Sequence, residues 1–184
     1  MRIRNTSEGY GAVAMALHWA VVALVLFSWL TGQFGDALPR GPARETGLFV
    51  HIASGLAIVG FVLFRLVWRT VDPPPAPEQS PLGLWGDRAG QAAHYLIYFL
   101  LIVVPAVGVV AQFARGHAVP VFGLFEIASP WTADRAFAHS VTEVHEVLAN
   151  CLLALVGLHA AAALVHHYLF HDRTLSRMLP GSRG

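Results

Sequence analysis

Four apolar stretches divide this chain, at about residues 12–31, 46–68, 89–113 and 140–170. Each is long enough for a helix to cross ~30 Å of hydrocarbon, which takes ~20 residues. Only helices and closed barrels satisfy their backbone polar groups inside a bilayer. Stretches of this length therefore specify an all-α, integral membrane four-helix bundle. Composition agrees: 55% of the residues are hydrophobic and 12% are charged, where a soluble domain carries about 25% charge. Arg2 and Arg4 precede the first stretch as they would in a secretory signal. That stretch is too long, however, and has no small-x-small cleavage site before Gly32. It is expected to remain as a span, and residues 1–184 read as one transmembrane domain without internal repeats.

Arginine sets the expected orientation, because the chain has no lysine. Arg2, Arg4, Arg65, Arg69, Arg88, Arg173, Arg177 and Arg183 fall on one side of the four spans, and Arg40, Arg44, Arg115 and Arg135 on the other. The positive-inside rule puts the richer side, with both termini, in the cytoplasm. A net charge of +1 gives no electrostatic support for nucleic-acid binding. The single cysteine, Cys151, excludes an internal disulfide and is expected to be a small core residue. The proline-rich connection VDPPPAPEQSPLGLWGDRAG is expected to be extended. The connection from Ala114 to His139 is expected to hold a short amphipathic piece at the outer interface. Trp29, Trp68 and Trp131 are expected as interfacial anchors. Pro105 is expected to kink the third helix, and Gly108 to allow close helix approach.

Histidine is costly inside a membrane and needs a partner there. Neutral imidazole is also the commonest metal ligand among side chains. His18, His51, His145 and His159 all lie within the spans. His51 and His145 each sit about five residues, or roughly 8 Å, inside the outer end of their helices. They pair by depth. His18 lies roughly 9 Å in from the opposite end, while His159 and His166 lie roughly 16 Å and 6 Å in. Depth does not choose between those two. Local volume favours His159, since Gly157 and Ala160 to Ala163 leave space that His167, Tyr168 and Phe170 deny to His166. His145 and His159, fourteen residues apart, point to nearly the same side of one helix, ~21 Å apart along its axis. Gly55, one turn after His51, leaves room for a flat ring. Two pairs at two depths suggest two haem irons held between helices.

The motifs LHW around His18, VHIASG around His51, VHE around His145 and LHAAAALVHHY around His159 resemble the bacterial cytochrome b561 family. GHAVPVFGL and DRTLSRMLP extend the resemblance over essentially the whole chain. The resemblance implies two haem b groups ligated at His18, His51, His145 and His159, and so prefers His159 to His166. It further implies a multi-pass protein of the bacterial inner membrane. Like the superoxide-oxidising members, it would take electrons from superoxide outside and pass them to ubiquinone. Arg40, Arg44, Arg115 and Arg135, with His117 and His139, are the candidates to attract the anionic radical. Asp36, Glu45, Glu126 and Asp134 share that side, so any funnel must come from the fold. His94, His166, Arg65, Arg69 and Arg173 are the candidates for a quinone or haem-propionate region. Lipid, quinone and a small electron donor are the expected partners, and homo-oligomer formation is left open. Two alternatives are a haem-bearing anchor subunit for a peripheral dehydrogenase or hydrogenase, and a histidine-lined proton or metal transporter without haem.

Overall fold

The computed structural model describes residues 2–78 and 83–179. Four long helices dominate them: α1 (Ala12–Phe34), α2 (Pro42–Val71), α3 (Gly83–Ala114) and α4 (Arg135–Tyr168). All four are long and apolar enough to cross a membrane. They begin where the sequence provides starts. Pro42 opens α2 behind Gly41, whose φ of 101° suits glycine alone. The Asp134 carboxylate caps α4 by accepting from the backbone N–H of Phe137 at 3.0 Å. All four helices extend beyond the expected apolar limits at one end or both, because backbone hydrogen bonding continues into polar flanks such as Arg44 and Glu45. α4 starts five residues early but stops at Tyr168 rather than Phe170.

The chain packs as two hairpins. α1 lies along α2 and α3 along α4, α2 joins the hairpins through α3, and α4 touches α1 only sparsely. The core is a belt of Val21, Val25, Ile58, Val62, Leu100, Leu101, Val104 and Leu152. Leu152 lies midway between His145 and His159, so this belt separates the two histidine levels. Leu63, Phe64, Val147 and Leu158 are among the many large apolar residues left exposed. Exposure on this scale marks surface facing lipid.

The N-terminal arm from Arg2 and the tail as far as Leu179 lie at one end of the bundle, here the termini end. Asn5 N–H donates to Asp72 Oδ2 at 2.9 Å, and Asn5 Nδ2 donates to the Asp72 carbonyl at 3.0 Å. Arg177 crosses from the tail to the Glu8 and Ala76 carbonyls, both at 3.0 Å, and to Glu78 Oε1 at 3.2 Å. Trp19 Nε1 donates to the Met178 carbonyl at 2.8 Å. N-terminal arm, α2–α3 connection and tail are thereby tied into one plate.

Several expectations need correction. Residues 73–78 of the proline-rich connection lack regular structure as expected, but its GLWGDRAG portion is the start of α3. Residues 79–82 lie outside the described residues. The α3–α4 connection carries a two-stranded antiparallel hairpin, β1 (Val119–Val121) and β2 (Phe125–Ile127), with Val119 facing Ile127. A tight turn drives this: Phe122 and Gly123 have φ of 52° and 73°, and Val119 anchors the hairpin by burial. This end is called the hairpin end below. Cys151 is exposed on α4 rather than in the core, because α4 buries one narrow stripe and leaves the rest to lipid.

Candidate functional site

At the hairpin end, α2 and α4 bring His51 and His145 to a ring-centre separation of 6.0 Å, with the planes at 83°. His51 Nδ1–H donates to the Ser28 carbonyl at 2.9 Å, and His145 Nδ1–H donates to the Val104 carbonyl at 3.0 Å. A ring that donates from Nδ1 keeps the Nε2 lone pair free for a metal, and the carbonyl acceptor fixes its orientation and raises its basicity. Two glycines permit this approach. A Cβ on Gly32 would lie 2.9 Å from His51 Cε1, and one on Gly108 would lie 3.1 Å from His145 Cε1. Gly55, expected to leave room beside His51, faces Pro105, where a Cβ would rest at an ordinary 3.8 Å.

Both rings line a cavity of about 720 Å³ that also meets Ser28, Gly32, Gly55, Pro105 and Gly108, within the usual size of cofactor sites. Trp29 lines it too and donates to Asn150 Oδ1 at 2.9 Å, which ties α1 to α4. That contact was not expected of a residue read as an interfacial anchor. Trp68 stacks on Phe64, and Trp131 packs edge-on against Phe113 and Phe137.

At the termini end, His18 and His159 stand 6.5 Å apart between ring centres, with the planes at 73°. His94 of α3 joins them, 5.0 Å from His159. Arg65 Nη1 lies 3.0 Å from His18 Nδ1, and the guanidinium sits 5.9 Å over the Tyr98 ring. Arg69 and Arg173 are exposed. His166 is not part of this cluster, since its Nδ1–H donates to Asp172 Oδ2 beyond the helix end. Asp172 also accepts from the Thr174 N–H at 2.8 Å.

Burial pushes the Asp172 carboxyl upward, but hydrogen bonds from His166 and Thr174 outweigh it and hold the group below its usual range. A lowered carboxylate contributes stability in full above its unfolded pKa, about 3.9, and loses it as pH falls through the lowered value. The protection of the Thr174 amide, taken relative to the intrinsic exchange rate at each pH, should therefore stay high above about pH 4 and fall below it. In Asp172→Ala it should be low throughout; a wild-type tail equally protected at pH 3 and pH 7 would contradict the linkage.

Of the arginines expected to attract an anion, Arg44 and Arg115 line the 720 Å³ cavity. Arg44 Nη2 donates to the Leu38 carbonyl at 3.1 Å, and Arg115 Nη2 to Thr142 Oγ1 at 2.9 Å. Arg115 also lines an adjoining cavity of about 520 Å³ with Arg135, His117 and His139. Arg40 is exposed and lines neither.

The spacing of the two ring pairs can be tested against a flat metal cofactor. Metal–imidazole bonds of about 2.0–2.1 Å, with each nitrogen about 1.1 Å from its ring centre, put two axial rings about 6.3 Å apart. Both observed pairs, at 6.0 and 6.5 Å, fit that span. The His94–His159 pair, at 5.0 Å, is too close. Fold and geometry have the dimensions of a multi-pass membrane protein that carries a flat metal cofactor between its helices. A family model described as prokaryotic cytochrome b561 matches residues 9–181. The chain belongs to this family of membrane electron-transfer proteins, and so to the haem b proteins. It is 32% identical to the probable superoxide oxidase CybB of Yersinia pestis over 177 residues, which is 95% of this chain and 98% of that one. It is 30% identical to cytochrome b561 homolog 2 of Escherichia coli (strain K12) over 97% of this chain and 95% of the relative. Against cytochrome b562 of Cereibacter sphaeroides it is 30% identical, with 93% and 95% covered.

Proposed function

We propose that this protein oxidises superoxide on one side of the bacterial inner membrane and delivers the electrons to ubiquinone. His51 with His145, and His18 with His159, hold the two haem b groups that connect the sides. The observation that carries this reading is the pair of ring separations, 6.0 and 6.5 Å, at two levels of one bundle. Held between two such histidine pairs, haem would supply single-electron transfer and would leave no open position at the iron for substrate. The protein supplies position and charge. His145 and His159 share α4, which sets the levels ~21 Å apart along the helix axis.

By the positive-inside rule the termini end is cytoplasmic and the hairpin end faces the periplasm. Arg44, Arg115 and Arg135 around the two hairpin-end cavities attract an anionic donor. Each superoxide gives up one electron and leaves as dioxygen. Two such electrons and two protons convert ubiquinone to ubiquinol. His94, Arg65 and Arg69 at the termini end suit the acceptor side, while His166, engaged by Asp172, does not. Residues 1–184 act as one domain in this scheme.

Stopped-flow mixing of the oxidised protein with superoxide tests the proposal. Haem reduction should approach the diffusional range at low salt and slow as salt rises. Arg115→Gln should reduce both the rate and its salt dependence. Reduction that is slow and indifferent to salt would remove superoxide as the donor.

A further inference from the structure

We infer that the hydrogen bond between Trp29 and Asn150 is the latch of a lateral gate, through which α1 and α4 admit haem from the lipid to the hairpin-end cavity. The inference rests on the His51–His145 half of the proposal above and adds how that site is filled. All four helices wall the cavity, but they close it unequally. α1 packs along α2, α2 against α3 and α3 along α4, whereas α4 meets α1 only sparsely. Exposure follows the same division. Gly32 and Gln33 of α1, and Glu146 and Asn150 of α4, line the cavity and are themselves exposed. On α2 only Leu48 does both, and on α3 no residue does. The cavity therefore reaches the protein surface between α1 and α4. Entry from the aqueous end is obstructed instead. β1 packs on α2 and α3 with Val119 buried in the cavity wall, and Arg115 ties the end of α3 to Thr142 at 2.9 Å.

Trp29 Nε1 donates to Asn150 Oδ1 at 2.9 Å, the one hydrogen bond between α1 and α4 among the described residues. Both side chains line the cavity, and Trp29 is the bulkiest residue on its α1 wall. Asn150 places an amide on an exposed face of a span. Unsatisfied polar groups are costly in hydrocarbon, so the lipid itself keeps this pair closed. A single directional bond nevertheless opens as a unit, while interdigitated side chains must be unpacked together. Releasing the indole N–H frees the largest cover on the α1 side without disturbing the packed boundaries. The bond is broken only during passage, so its loss speeds filling and emptying alike.

The test follows haem transfer from the loaded protein in lipid to an excess of a soluble haem-scavenging globin, and re-uptake of haemin added back. The kinetic phase that disappears in His51→Ala identifies the hairpin-end haem. Trp29→Phe keeps a ring and removes the donor, and Asn150→Leu keeps the bulk and removes the acceptor. Each should speed both release and re-uptake of that haem by roughly three- to tenfold, the worth of one hydrogen bond between transmembrane helices. The ratio of the two rates, and so the affinity, should not change. The double variant should add little, since either change breaks the same bond. Unchanged rates would overturn the inference. So would faster release without faster re-uptake, which marks a strut that only holds the site together. The route is checked in the unsubstituted protein, whatever the variants do. Re-uptake should follow the amount of haemin per lipid, and a rate that follows the aqueous haemin concentration at fixed haemin per lipid overturns the inference. Haem content unaffected by His51→Ala would instead remove the ligand pair, and the gate with it.

Discussion

Replacing His51 or His145 with alanine should remove the hairpin-end haem and halve the haem content, leaving the termini-end haem spectrally intact. Each of these rings contributes one side of a 6.0 Å span, and among the described residues no other histidine ring packs against the opposite one. The cavity between them persists, so the loss reflects the missing bond rather than collapse of the space. His18→Ala and His159→Ala should remove the other half. The belt from Val21 to Leu152 separates the levels, so perturbations at one end should stay there. A reduced-minus-oxidised spectrum, with haem counted per chain, gives the outcome. Loss of both haems, or of neither, from the His51 variant would contradict the pairing.

Gly32→Val and Gly108→Val should produce the same loss with every histidine in place. The positions lie on α1 and α3, not on the helices that carry His51 and His145. A Cβ at Gly32 would lie 2.9 Å from His51 Cε1, and one at Gly108 would lie 3.1 Å from His145 Cε1. Neither ring can swing away freely, because its Nδ1 is tied to a carbonyl. Valine adds two further methyl groups to the clash, while alanine needs only a small shift. Gly108→Ala should thus retain haem with a perturbed spectrum, and the valine variants should lose the hairpin-end haem almost completely. Gly60→Ala is the control: its Cβ meets nothing within 4 Å, so haem should be unaffected. Full haem content in both valine variants would show that the rings are not held as described.

Much of this was legible in the residues themselves. Span length fixed the number of helices, and the depth of His51 and His145 foretold their pairing. Depth left His159 and His166 undecided. The resemblance favoured His159, and Asp172, six positions beyond His166, explains physically why His166 turns away. Other features had no sequence signal. The Ser28 and Val104 carbonyls are backbone atoms present at every position, so nothing marks them as acceptors for imidazole. The contact between Arg65 and His18 bridges 47 positions, and the Trp29–Asn150 bond bridges 121. Both depend on how helices rotate against each other. The β1–β2 hairpin was missed because its strands are three residues long, too short for alternation to show. The lipid-facing position of Cys151 was missed because apolar sequence in a membrane protein does not distinguish inside from outside.

The loose seam between α4 and α1 bears on biogenesis. A seam this sparsely packed would let a flat, greasy disc enter sideways, without passage through either aqueous end. Threading of the polypeptide and insertion of pigment are then separate events, and the second closes a seam that protein contacts alone hold lightly.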